Sequence, residues 1–199
     1  MDEIVRQAMA RWPNVPNVYG WLTLDRRGQW RLRNEYAQQH GLSGDPIRHE
    51  ALIGFIERNY QCDERGCWYF QNGPQRVFVT LGYAPWIVRL HQGTLQTTTG
   101  QAFTLQACFA DEHGNVVLAG TVAGMATDTA PALQALQAAL LHDHDLEQFS
   151  GASTWHGEAC GADPGVFHHD GRDLPIEPIA ESEVPQRFGF VRQPAAPAG

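Results

Sequence analysis

Apolar and polar positions alternate along most of this chain, and only short stretches change to a helical period. Ile4, Val5, Ala8, Met9 and Trp12 recur at helical spacing, which predicts an amphipathic helix over residues 3–12, ended by Pro13 and Pro16. Val18 to Arg33 reads YGWLTL-DRRG-QWRLR, a hairpin with Trp21 and Thr23 on one face and Leu22 and Leu24 on the other. Asp45-Pro46 has the form of an N-cap and first helical residue, so a helix is expected from there to about Tyr60, with Leu52, Ile53, Phe55, Ile56 and Tyr60 in one stripe. A second hairpin, CDERGCWYF, repeats the Asp-x-x-Gly-x-Trp pattern of the first, and ADEHGNVVL is a weaker third copy. Aspartate at the first position of such a turn bonds its own backbone, and glycine at the fourth supplies the positive φ.

Further strands are expected over Arg76–Leu81, Trp86–His91, Leu95–Thr98, Phe103–Ala110 and Val116–Ala123, and a helix over Thr129–His142 from the spacing of Leu133, Leu136, Leu140 and Leu141. From Gly151 onward there are 7 Gly and 6 Pro, which reads as a segment wrapped over the surface, with one short strand near Phe188–Val191 and a disordered PAAPAG end. The reading is an α+β protein of mostly antiparallel sheets built from repeated hairpins with two to three helices. Its units are an N-terminal α+β domain (1–91), a second α+β unit packed on it (92–150) and the wrapping segment (151–199).

Composition narrows the chemistry. The chain has 199 residues, is 43% hydrophobic and 10% aromatic, and carries a net charge of -8. All 14 basic residues are arginine, so chemistry that needs a lysine (a Schiff base, a P-loop lysine) is excluded. Residues 1–99 hold 11 Arg against 9 acids, and residues 100–199 hold 3 Arg against 13 acids. Overall acidity argues against nucleic acid polymers and anionic membranes as partners. With no secretory leader pattern and no apolar run of bilayer length, the expected location is cytoplasmic. Cys62, Cys67, Cys108 and Cys160 are then expected as thiols.

Residues about 19–90 combine the first Asp-x-x-Gly-x-Trp hairpin with GDPIRHEALIGFIERNYQCDERGCWYFQNGPQRVFVTLGYAPWIVRL. That order resembles the uncharacterised bacterial family Domain of Unknown Function 1285, with its "PI-R" helix start, aromatic D-x-x-G hairpin, proline turn and "APW" strand start. That family's downstream proline and arginine pattern is not found in residues 91–199. The resemblance implies a duplicated two-part core with a pleckstrin-homology-like second half, a cleft between the parts, and ligand sensing in signal transduction, with a nucleotide-like ligand. It brings no catalytic residues.

Arginine beside tryptophan suits an anion carrying a ring, because guanidinium pairs with carboxylate or phosphate and stacks on aromatic faces. Trp30, Arg48, Arg76, Trp86 and Arg89 are therefore the candidate binding residues at the junction of the halves. Arg31 and Arg33, two apart on one strand, point to one face. The competing reading is that these arginines pair with the acids of the other half. The expected function is a small-ligand or protein-binding module. A metal-dependent enzyme using His142, His144, His168 and His169 is one alternative, and a structural dimerisation module, suited by Trp-rich strand edges, is another. No H-E-x-x-H, G-x-S-x-G or G-x-G-x-x-G pattern assigns a catalytic or metal-ligating residue, and the cofactor is unknown.

Overall fold

A computed structural model describes residues 1–124, 136–156 and 164–197. The amphipathic N-terminal segment forms α1 (Glu3–Arg11), which buries Val5. The first hairpin is β1 (Val18–Leu24) and β2 (Trp30–Leu32), followed by a five-residue helix α2 (Glu35–Gln39) capped by the Asn34 side chain on the Ala37 amide. Asp45–Pro46 is a short edge strand, β3, and the helix α3 (Glu50–Arg58) begins later, with the His49 imidazole accepting from the Leu52 N–H. Proline suits an edge strand as well as a first helical turn, so the Asp-Pro pair did not discriminate. Next come β4 (Tyr60–Cys62), β5 (Trp68–Asn72) and β6 (Gln75–Leu81). The first sheet has the order β3-β2-β1-β6-β5-β4, with β1 and β6 parallel and the other pairs antiparallel.

The second sheet contains β7 (Trp86–His91), β8 (Thr94–Thr97), β9 (Phe103–Ala110), β10 (Val116–Val122), β11 (Gln137–Leu141), β12 (Ser153–Trp155), β13 (Gly165–His169) and β14 (Arg172–Pro178). Its order is β12-β13-β14-β9-β10-β11-β7-β8. A bridge from Gln96 to Ala102 brings β8 back to the start of β9, so this sheet curls into a half-barrel. Gln137–Leu141 is a strand, where a helix was expected. Every residue of β11 is buried, between β10 and parallel β7, and a strand covered on both faces shows no alternation. Residues 129–135 of the expected helix lie outside the described residues. The proline-rich segment also holds more strand than expected. Pro175 sits in β14 where the strand pairs with β13 but has not yet met β9, which begins pairing at Ile176.

Two short helices, α4 (Leu146–Gly151) and α5 (Val184–Arg187), bring the described helices to five instead of two or three. The expected strand at Phe188–Val191 is reduced to a single parallel bridge between Val191 and Cys67, and of the PAAPAG end Pro194 is buried. The class is nonetheless α+β, mostly antiparallel, as the alternation predicted.

The D-x-x-G turn recurs in one geometry. At Asp25, Asp63 and Asp111 the carboxylate Oδ1 accepts N–H groups from the residues two and four further on, at 2.8–3.0 Å. Gly28, Gly66 and Gly114 take φ of +76, +78 and +77°, where a side chain would be strained. A fourth copy uses Thr97, whose Oγ1 accepts from Gln101, ahead of Gly100. The turn repeats between the two sheets, whereas the strand order does not.

One apolar core runs through both sheets. Trp68 and Trp86 meet edge to face at 5.2 Å, Tyr60 touches both, and Trp30 packs on Tyr60 at 5.2 Å. Thus the aromatic residues of the repeated hairpins form the seam between the sheets.

Candidate functional site

The two faces of the first sheet are separated by strict alternation. Leu22 and Leu24 of β1, Val79 and Leu81 of β6, and Trp68 and Phe70 of β5 enter the main core. Tyr19, Phe78 and Tyr69 face the other way and form a small second cluster with Cys67 and Val191. On that second face Thr23 and Thr80 lie side by side on the parallel pair. They floor a cleft of about 700 Å³ whose walls come from α2 and the loop after it, from Gly82, and from the C-terminal segment Arg192–Ala195.

Local chemistry shapes each wall. Gly20 has φ of +80°, and a Cβ there would lie 2.7 Å from the Gln38 side-chain oxygen, so glycine lets α2 close over β1. Gln38 in turn donates to the Arg33 carbonyl at 3.0 Å. The C-terminal wall is fixed by backbone and side chain together. Val191 N–H donates to the Gly66 carbonyl, and Leu81 N–H donates to the Arg192 carbonyl. The Arg192 guanidinium donates to the Gly82 carbonyl (2.6 Å) and to Glu181 (2.9 Å). Arg26 and Arg192 both lie over the Tyr83 ring, at 4.8 and 5.5 Å, and Tyr83 O–H donates to Asp111 at 2.8 Å. Burial and the Asp111 carboxylate together push the Tyr83 phenol well above its ordinary range.

Among the described residues no carboxylate lines this cleft. Of the two arginines in the lining, Arg192 is paired with Glu181, and Arg33 makes the recess locally positive in a chain of net charge -8. Arg33 has no ion pair among the described residues, and its Nη2 makes one hydrogen bond of 3.3 Å, to the Ala37 carbonyl. Its Nε is buried without a partner, and so is the Thr23 hydroxyl, on a residue only 9% exposed. Each buried, unsatisfied polar group costs about 1–3 kcal/mol.

The residues expected at the junction are distributed differently. Trp30 and Trp86 come together through Tyr60 but are buried, each 2% exposed, and Trp86 donates to Gln137. Arg89 forms a two-point ion pair with Asp145 (2.6 and 3.0 Å). Arg76 lies over the Tyr69 ring at 4.7 Å, and Arg48 is exposed at the approach to α3. The cleft residues Thr23, Thr80 and Arg192 gave no motif, since three distant segments supply them. The available signal was the pair Arg31 and Arg33 on one strand face. Arg31 turns to Asp25 (2.7 Å) and Arg33 to the cleft.

The His-Asp-His-Asp run serves as a staple. His142 Nδ1 accepts the His144 N–H and so caps a 3-10 turn over Asp143–Asp145. Arg27 from the first hairpin grips Asp143 at 2.6 and 2.9 Å, and Asp145 holds both Arg89 and the Leu90 N–H. Burial works to raise Asp145, but its bonds to Arg89 and the Leu90 amide outweigh that and hold it below the usual carboxylate range. Burial, and then the Arg89 charge, hold the His142 imidazole below its ordinary value. His142, Asp143 and His144 form the group of metal-capable side chains among the described residues, with Asp143 already neutralised by Arg27. His168 lies elsewhere, on β13, bonded to Thr154 and Asp173. Cys62, Cys67 and Cys108 are buried free thiols, Cys62 and Cys108 pushed up to about 12, chiefly by burial; Cys160 lies outside the described residues. No helix among the described residues is long and apolar enough to cross a membrane.

The family model DUF2944, described as "Protein of unknown function (DUF2946)", matches residues 1–195. No curated protein matches the chain. Among solved structures, a DUF1285 family protein from Silicibacter pomeroyi DSS-3 is similar at 15% identity and a TM-score of 0.47, covering 92% of this chain and 99% of that one. The resemblance noted in residues 19–90 is to a family of unknown function, as is the family whose model matches the chain.

Proposed function

We propose, for a chain that belongs to this family of unknown function, that it is a binding protein for a small organic anion, held in the cleft on the second face of the first sheet. The observation that carries this reading is the pairing of an acid-free recess with two buried donors, Arg33 Nε and Thr23 Oγ1, that lack partners. An anion seated between Arg33 and the threonine floor would satisfy both through small side-chain movements. A charge-assisted bond of this kind contributes about 1.5–3 kcal/mol. The half-barrel, which the resemblance would assign to a pleckstrin-homology-like unit, supplies the frame and no lining residue.

A thermal-shift screen with small organic anions, followed by calorimetry of any that stabilise the protein, tests the reading. At least one anion should raise the melting temperature of the wild type, and Arg33→Gln should weaken it. A screen with no stabilising anion would overturn the proposal.

A further inference from the structure

We infer that the cleft selects a singly charged aliphatic acid bearing a hydroxyl or amide group, and discriminates against nucleotides. This rests on the binding reading above and specifies its ligand.

Charge sets the first limit. Of the two arginines in the lining, Arg192 is balanced by Glu181 at 2.9 Å, while Arg33 has no carboxylate partner among the described residues. One uncompensated guanidinium matches one anionic group. A dianionic or triphosphate ligand would place excess negative charge in a recess with no lysine to meet it.

Shape and surface set the second. Among the described residues no aromatic side chain lines the cleft; its apolar wall comes from Leu42, Pro194 and Ala195. Nucleobases are held by stacking on rings, and aliphatic walls offer a short hydrocarbon chain as much as they offer a base. Polar groups are plentiful for the size of the site. Thr23 and Thr80 form the floor, and Ser43, Gln38 and Gln193 ring it. Hydroxyl and amide partners of this density suit a ligand that has its own hydroxyl or amide beside the acid. A volume of about 700 Å³ is ample for such a molecule.

The experiment titrates the full chain with L-lactate, 3-hydroxybutyrate and N-acetylglycine on one side and with AMP and citrate on the other, in wild type, Arg33→Gln and Thr23→Val. The inference expects a monoacid to bind, AMP and citrate to bind at least tenfold more weakly, and Arg33→Gln to raise the monoacid Kd by about 10- to 100-fold. If AMP or citrate binds more tightly and Arg33→Gln weakens it, the cleft remains a binding site and the inference about its ligand is overturned. If neither group binds any form of the protein, both readings fall. Because Thr23→Val keeps the side-chain shape, it separates loss of a hydroxyl contact from loss of the fold.

Discussion

The two faces of the first sheet are built by the same strands and have opposite character. On one face Leu22, Leu24, Val79 and Leu81 merge with the half-barrel core and the Trp68–Trp86 seam. On the other, one residue along each strand, Thr23 and Thr80 lie beneath an open cleft, with orphaned donors where the first face has hydrocarbon. The alternation therefore sets stability against a recess kept under strain of unsatisfied bonding, and the boundary between them is the thickness of one sheet. Tolerance to substitution should follow that boundary.

The contrast breaks or holds most visibly at the seam. Trp86→Ala removes a ring that is 2% exposed and orphans the Gln137 side chain. It should cost about 3–5 kcal/mol in denaturant unfolding; a loss under 1 kcal/mol would mean the two sheets do not share one core. Next in size is Asp145→Ala, which frees Arg89 and leaves the Leu90 N–H unpartnered. Arg89 is partly exposed, so a loss of about 1–3 kcal/mol is expected in the same assay. On the second face the sign should reverse. Thr23→Val deletes a buried hydroxyl that has no partner and should stabilise the free protein by about 1 kcal/mol, read as a raised melting temperature.

The smallest effect sharpens the comparison through pH. Burial holds His142 and His169 below the ordinary histidine value of 6.5, so the unfolded chain takes up protons before the folded one does. The stability they contribute is fully present above pH 6.5 and is lost as the pH falls through their folded-state values. Urea midpoints should decline below pH 6.5. The decline should be shallower in His142→Asn, since asparagine can keep the helix cap and does not titrate.

How much of this the sequence discloses depends on whether a signal is local. The Asp-x-x-Gly turns are complete within five residues, and all three were legible with their strands. Phe103–Ala110 was legible from alternation alone. β11 was not, because burial on both faces removes alternation and leaves a leucine spacing that a helix would also give. Asp45-Pro46 carried a signal shared by two structures. The cleft was legible only at its edge, in Arg31 and Arg33. Thr23 reads as an ordinary outward residue of a hairpin until Thr80 and Arg192 are brought beside it by pairings that no local pattern encodes. Of the candidate arginines, Arg89 pairs with an acid of the other half, Asp145, as the competing reading has it.

The parallel pairings carry a kinetic consequence. Val18 meets Val77, Trp86 meets Ala139, and Cys108 meets Ile176, so each parallel contact closes a long loop before it gains anything in return. The hairpins can form early and separately; the threonine floor exists only once β1 and β6 have zipped together. Under the binding reading, a ligand has its seat only after that pairing has formed, so it would slow unfolding more than it speeds folding.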